Sequence, residues 1–251
     1  MKVVRFVVLF LSFVVCWQIL VVTTGVPHYI LPAPGKVYSA LCNEWSVLMP
    51  HLLVTSTEIV LGLILGTVLG CLCALTMILS PLLKKWLLPV LVMSQAIPVF
   101  ALAPILVLWL GYGMASKVAM AVLIIFFPVT SSFYHGMQRT EEDLLELSRM
   151  MGAGSSSILR FVVIPNAMPA FAGGLRVAAA VAPIGAIVGE WVGSSKGLGF
   201  YMLQANARMQ VDKMFAALFL LSVASVGLYF LIDFLLLKII YWEKPRELYH
   251  E

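Results

Sequence analysis

Read for charge alone, the chain falls into long neutral blocks separated by short charged seams. The stretches 6–35, 59–83, 86–116, 118–138 and 214–232 contain no Asp, Glu, Lys or Arg. A sixth apolar stretch, 177–192, is interrupted only by Glu190. A helix needs about 20 mostly apolar residues to cross a bilayer. Trimmed at glycines, prolines and polar clusters, the pattern predicts six membrane-crossing helices over roughly 4–24, 52–79, 87–110, 115–135, 177–193 and 214–237. The segment between the first two, about 25–51, holds Pro27, Pro32, Pro34 and Gly35 and reads as irregular backbone with a short helix.

Composition agrees. Of 251 residues, 62% are hydrophobic and 11% charged, where soluble domains carry about 25% charged residues. A soluble enzyme, a disordered chain and a disulfide scaffold are all excluded. The net charge of +4 is too small to suggest nucleic acid as a partner. Cys16, Cys42, Cys71 and Cys73 have neither metal-ligand nor redox spacing and read as small buried apolar residues.

Basic residues orient the helices. With a cytoplasmic N-terminus, Lys2, Arg5, Lys84, Lys85, Arg139, Arg149, Arg160, Arg176, Lys238, Lys244 and Arg246 fall inside. Only Lys36, Lys117, Lys196, Arg208 and Lys213 fall outside, so both termini are expected in the cytoplasm. A cleaved leader is the alternative for the N-terminus, but the apolar run from 6 to 22 exceeds a leader core of roughly 7–15 residues, and no small-x-small site follows it.

One polar island stands out between the fourth and fifth spans. Residues 139–149 contain Arg139, Glu141, Glu142, Asp143, Glu146 and Arg149. Thr140, with Asp143 three positions on, predicts a helix start carrying negative charge at its positive end. Leu144, Leu147 and Met151 recur at helical spacing beside Leu145, so this helix is amphipathic. Gly152 and Gly154 break it; Ser155–Ser157 can cap a second helix, and Pro165 and Pro169 are expected to end that one. Such a unit is either a surface loop lying on the bilayer or a docking element whose apolar ridge fills a groove on a partner.

The residues themselves resemble a known family. Glu146-Leu-Ser-Arg-Met-Met-Gly152, nine residues, then Val162-Val-Ile-Pro165 is similar to the "EAA" loop of binding-protein-dependent ABC importer permeases. Glu146, Gly152 and Pro165 match at the family spacing, while Leu147 and Ser148 replace two alanines. Further segments occur in the expected order: Ile30-Leu-Pro-Ala-Pro-Gly35, Gln95-Ala-Ile-Pro98, Leu108-Trp-Leu-Gly-Tyr-Gly113, Gly174-Leu-Arg176, Gly189-Glu-Trp191 and Gly197-Leu-Gly199. Together they look like the branch that moves sulfonates, taurine, nitrate and thiamine-pyrimidine precursors, and 181–207 is most similar to hydroxymethylpyrimidine permeases.

The resemblance implies an all-α membrane protein with the type I importer permease fold, one polytopic domain over 1–251 with a coupling loop at about 139–172. It implies two cytoplasmic ATP-binding subunits, a second permease copy, a periplasmic or lipid-anchored solute-binding protein, and a place in the bacterial inner membrane. The chain lacks a Gly-x-x-x-x-Gly-Lys-Ser/Thr phosphate loop, so ATP and Mg are expected on the partner and no cofactor or metal on this chain. Carried over, Glu146 makes polar contacts with the ATPase, Leu144, Leu145, Leu147, Met150 and Met151 form the apolar ridge, Gly152 permits the turn, and Pro165 closes the motif.

The solute path is less defined. Glu190, a carboxylate inside a span, is either a pathway or gate residue or an interfacial or packing residue. Glu58 and Asp233 read as solvated or structurally paired. Gln95, Trp191, Gln204 and Asn206 are candidates to line the path and to stack on or hydrogen-bond a flat heterocycle. Gly62, Gly66 and Gly70 form one small face on the second span, suited to close helix approach. The competing classes are an integral-membrane enzyme, for which no His-Glu-x-x-His or Gly-x-Ser-x-Gly occurs, and a stand-alone secondary transporter, which the docking island argues against.

Overall fold

The computed structural model describes residues 2–242, with side chains from Val8 onward, and every regular element among them is helical. In order these are α1 (Lys2–Thr24), α2 (Pro34–Asn43), α3 (Trp45–Leu79), α4 (Pro81–Ala96), α5 (Val99–Leu110), α6 (Met114–Gln138) and α7 (Glu142–Met150). Then α8 (Ser155–Ile158) runs through a π-helical turn, Leu159–Val163, into α9 (Ile164–Gly193), followed by α10 (Leu198–Ala207) and α11 (Val211–Ile239). Lys244, Arg246 and His250 lie outside the described residues, as do the side chains of Lys2 and Arg5.

Helices α3, α6, α11 and the continuous Ser155–Gly193 are each long and apolar enough to cross a membrane. Helices α4 and α5 pass that test only together, bent by 103°, and α1 offers the shorter apolar stretch Val8–Thr24. The described residues thus hold four unbroken candidate spans and one broken one, against the six read from the sequence.

Three boundaries differ from expectation for identifiable reasons. The third span, expected as one helix over 87–110, breaks because Pro98 has no N–H to carry the ladder and holds Ile97 before it in extended backbone (φ −83°, ψ 122°). Helix α3 begins at Trp45, not 52, and runs through Pro50; Leu48 is fully buried, and Glu44 at its N-cap pairs with Lys213 at 2.5 Å. The fifth span does not start at 177, and Pro165 and Pro169 do not end the helix before it. The π turn places Pro165 in the first turn of α9, where proline is tolerated and the helix runs on through it. Arg176 therefore sits inside a long helix instead of at a cytoplasmic boundary, and it pairs with Asp233 of α11 at 2.7 Å. The cysteines are free; Cys71 and Cys73 are half-buried, but Cys16 and Cys42 are exposed, not buried as expected.

The core forms where α6 is gripped between α3 and α9. Added Cβ atoms show how closely the backbones approach: at Gly66 one would stand 2.7 Å from Ile125, and at Gly70 3.0 Å from Val129. From the other side, a Cβ at Gly185 would meet the Ala121 Cα at 2.6 Å, and one at Gly189 the Lys117 Cα at 2.9 Å. Lipid tails are as apolar as leucine, so helices in a bilayer associate through such small-residue packing. Gly62, Gly66 and Gly70 meet successive turns of α6 in ascending order, so α3 and α6 are parallel; Gly174, Gly185 and Gly189 meet it in descending order, so α9 is antiparallel. One end of the bundle thus gathers the starts of α3 and α6 with the end of α9 and α10. The opposite end carries α7 and α8.

This packing predicts an asymmetric glycine scan. Gly185→Val should lower stability in detergent by about 1–3 kcal/mol or more, because backbone, not a side chain, stands in the way. Gly227→Ala should be neutral or stabilising by up to about 1 kcal/mol, since nothing lies within 4 Å of a Cβ there. Thermal unfolding followed by circular dichroism separates the two; equal effects would contradict the packing.

Candidate functional site

At the α7 end, Glu142 and Asp143 occupy the first turn and Arg149 the last, matching the helix dipole. The N-cap is Glu141 rather than Thr140. Thr140 closes α6 instead: its hydroxyl donates to the Met137 carbonyl at 3.0 Å, and Asn166 of α9 approaches it. The helix stops in a full Schellman turn. Gly152 N–H donates to Arg149 O (2.9 Å) and Ala153 N–H to Ser148 O (3.0 Å), with Gly152 at φ 79°. Helix α8 is then started by Gly154, and no serine side chain caps it.

The apolar ridge of α7 is left uncovered. Met150 is 86% and Met151 79% exposed, Leu144 and Leu147 are exposed beside them, and Leu145 is half-buried. Glu146 is exposed on the same short helix, whereas Pro165 lies apart in the first turn of α9. A row of large apolar side chains on a polar, amphipathic helix is the mark of an interaction surface.

At the other end, α10 is seated by side chains from two other helices. Its N-cap, Gly197, has no side chain to satisfy the orphan N–H groups of a helix start. Gly197 N–H donates to His51 Nδ1 (2.9 Å), Leu198 N–H to Thr55 Oγ1 (2.8 Å), and Gly199 N–H to Glu190 Oε2 (2.5 Å), with Phe200 N–H at 3.4 Å from the same oxygen. The Thr55 hydroxyl donates to Glu190 Oε1 at 2.5 Å. Because His51 Nδ1 accepts, its ring proton sits on Nε2. Gly197 adopts φ 109°, and a Cβ there or at Gly199 would run into the Glu190 carboxylate. Tyr201 packs its ring 5.5 Å from that of His51; burial, then the Glu44 carboxylate, pushes its phenol up to about 12.

Glu190 is 1% exposed. Glu58 is buried beside it, with Oε2 lacking a hydrogen-bond partner. Lys117 is buried nearby, its ammonium donating to the carbonyls of Tyr112 (3.0 Å) and Gly113 (2.8 Å). Among the described residues no group of three His, Cys, Asp or Glu is placed to hold a metal ion.

Of the residues singled out from the sequence, Glu190, Trp191 and Gln204 border one cleft of about 330 Å³, together with Tyr112 and Phe200. Trp191 and Asn206 border a second, apolar groove of about 710 Å³ between α9, α10 and α11. Gln95 is exposed near the end of α4 and borders neither. His51 and Thr55 are not among the residues that the sequence motifs single out. Their signal was present: His51, Thr55 and Glu58 fall at helical spacing on one stripe of an apolar helix, in line with Gly62.

Residues 66–240 match the family described as "Binding-protein-dependent transport system inner membrane component". A protein of Haemophilus influenzae named "Probable ABC transporter permease protein" is 52% identical over 225 residues, covering 90% of this chain and 92% of its own. The "Formylaminopyrimidine transport permease protein ThiX" of Halalkalibacterium halodurans is 39% identical over 218 residues, 86% of this chain and 87% of its own. A chain from the crystal structure of an amino acid ABC transporter with histidines superposes with a TM-score of 0.63, over 80% of this chain and 96% of that one. At 16% identity that likeness speaks to the fold alone.

The cap around Glu190 generates a local prediction. Gly197→Ala should destabilise the protein by more than Gly25→Ala, which meets only the left-handed backbone penalty of about 1–2 kcal/mol, because Gly25 at φ 59° has open space around it. Paired thermal unfolding in detergent measures the difference; equal losses would mean the carboxylate does not fill the space above Gly197.

Proposed function

Since the chain belongs to the family of binding-protein-dependent inner membrane components and is a multi-pass ABC transporter permease, we propose that it forms the translocation path of an ATP-driven importer for a thiamine pyrimidine precursor. In this reading two copies pair in the bacterial inner membrane, each crossing six times with both termini in the cytoplasm. Two separate ATP-binding subunits hydrolyse ATP with Mg, and an outer solute-binding protein delivers the solute.

The observation that carries the reading is the bare apolar ridge of α7, ended by the Gly152 turn. Leu144, Leu145, Leu147, Met150 and Met151 seat in a cleft of the ATPase, with Glu146 making polar contacts. Closure of the two ATPases on nucleotide draws the two α7 helices together. Because the ATPase binds the two permease states unequally, the equilibrium shifts between inward-open and outward-open. The helix from Ser155 to Gly193 makes transmission direct: its 39 residues span roughly 58 Å at 1.5 Å per residue. It links the docking end to the cleft, where the solute passes Trp191 and Gln204 with Glu190 behind them, while Asn206 faces the neighbouring apolar groove. The pyrimidine class is favoured by the likeness to the formylaminopyrimidine permease and by the aromatic walls Tyr112, Trp191 and Phe200 of the cleft, which suit a flat ring.

Gly152→Asp should leave the protein inserted yet cut ATP-driven uptake by about tenfold or more, since it puts a charge into an apolar contact and strains a position at φ 79°. Co-purification with the ATP-binding subunit and uptake in reconstituted vesicles test this; an assembled complex with full uptake would remove the coupling role. In the wild-type complex, aminopyrimidines should compete for uptake and taurine should not. The reverse result assigns the chain to sulfonate transport.

A further inference from the structure

The seat of α10 uses more side-chain chemistry than packing a ten-residue helix requires. A helix this short is not stable in isolation, so its place is decided by what holds it. Four consecutive N–H groups, from Gly197 to Phe200, point at His51, Thr55 and Glu190, which arrive from α3 and α9. Thr55 and Glu190 are fully buried and bonded to each other. A carboxylate at the positive end of a helix is electrostatically matched to it, and glycine at 197 and 199 lets the carboxylate come within bonding distance of the backbone. Beyond the seat, α10 presents Phe200 and Gln204 to the cleft that Tyr112 and Trp191 also line.

We propose that His51, Thr55 and Glu190 are positioning residues for transport: they clamp the start of α10 so that Phe200 and Gln204 form a fixed wall of the solute cleft. The assignment rests on the importer reading above for its link to transport, but the clamp itself is independent of it. Glu190 in this role works through hydrogen bonds and not by carrying charge to the solute. Glutamine can do the same: its amide oxygen accepts from Gly199, its amide nitrogen donates to Thr55 Oγ1, and the Thr55 hydroxyl turns to the His51 carbonyl, already 3.2 Å away. Alanine satisfies none of these groups.

The test uses the reconstituted complex with its ATP-binding subunits and binding protein, comparing E190A, E190Q and T55V. E190A and T55V should raise the uptake KM by about tenfold, the effect of leaving buried donors unpaired, with a smaller change in turnover at saturation. E190Q should recover most of the loss. A second readout follows α10 directly. A cysteine placed by Leu198→Cys, in a chain whose four native cysteines are replaced, should react with maleimide about tenfold faster in E190A than in E190Q or with Glu190 intact. An E190Q complex as impaired as E190A would overturn the proposal in favour of a charge-dependent role, and wild-type KM in both E190A and T55V with unchanged labelling in E190A would overturn it outright. If E190A fails to insert, T55V and E190Q decide the matter. Failure of the importer reading would show separately, as absence of ATP-driven uptake in the unmodified complex, while the labelling comparison would still report on the clamp.

Discussion

The structure depends on how closely α3 and α9 approach α6. In a bilayer nothing equivalent to water drives apolar helices together, so the contacts must come from shape. Glycine and alanine provide it on both faces of α6: Gly66 and Gly70 of α3 lie against Ile125 and Val129, and Gly185 and Gly189 of α9 lie against Ala121 and Lys117. Ala121, Ala178, Ala179, Ala182 and Ala186 are all buried in the same core. Once this sandwich is set, the start of α3 and the end of α9 become neighbours, and the Thr55–Glu190 bond follows from it.

Charges are placed where the sandwich needs joints. Glu190 joins α9 to α3 and α10, Lys117 ties the start of α6 to the carbonyls of the turn before it, and Arg176 joins α9 to α11 through Asp233. An ionisable group within a span is costly unless paired or hydrogen-bonded, so each marks a contact that the fold has to make. Glu58 is the exception, buried with one oxygen unpartnered beside Glu190.

Legibility followed range. The amphipathic α7 and the glycine that ends it were readable because a helix face and a left-handed turn are written in adjacent residues. The apolar blocks were readable for the same reason, although their ends were not. Pro165 looks like a stop until a π turn absorbs it, and Pro98 falls inside an expected single span that it breaks in full. Thr140 has the right type and spacing for a cap, but Asn166 from α9 stands beside it and the cap falls to Glu141. Glu190 stayed ambiguous because Thr55 is 135 positions away, and no local pattern connects them.

A division of labour between the two kinds of contact then becomes apparent. Glycine packing tolerates almost no relative displacement, since a few tenths of an ångström turns contact into clash or void. It binds α3, α6 and α9 into one closely packed block. Hydrogen bonds and short turns sit at the periphery, at the Gly152 turn below and the α10 seat above. In the proposed importer a pull at α7 would reach the end of α9 through this block, at whose far end lie the contacts between Glu190 and α10. The carboxylate that caps α10 is thus mounted on the helix through which the proposed pull is transmitted.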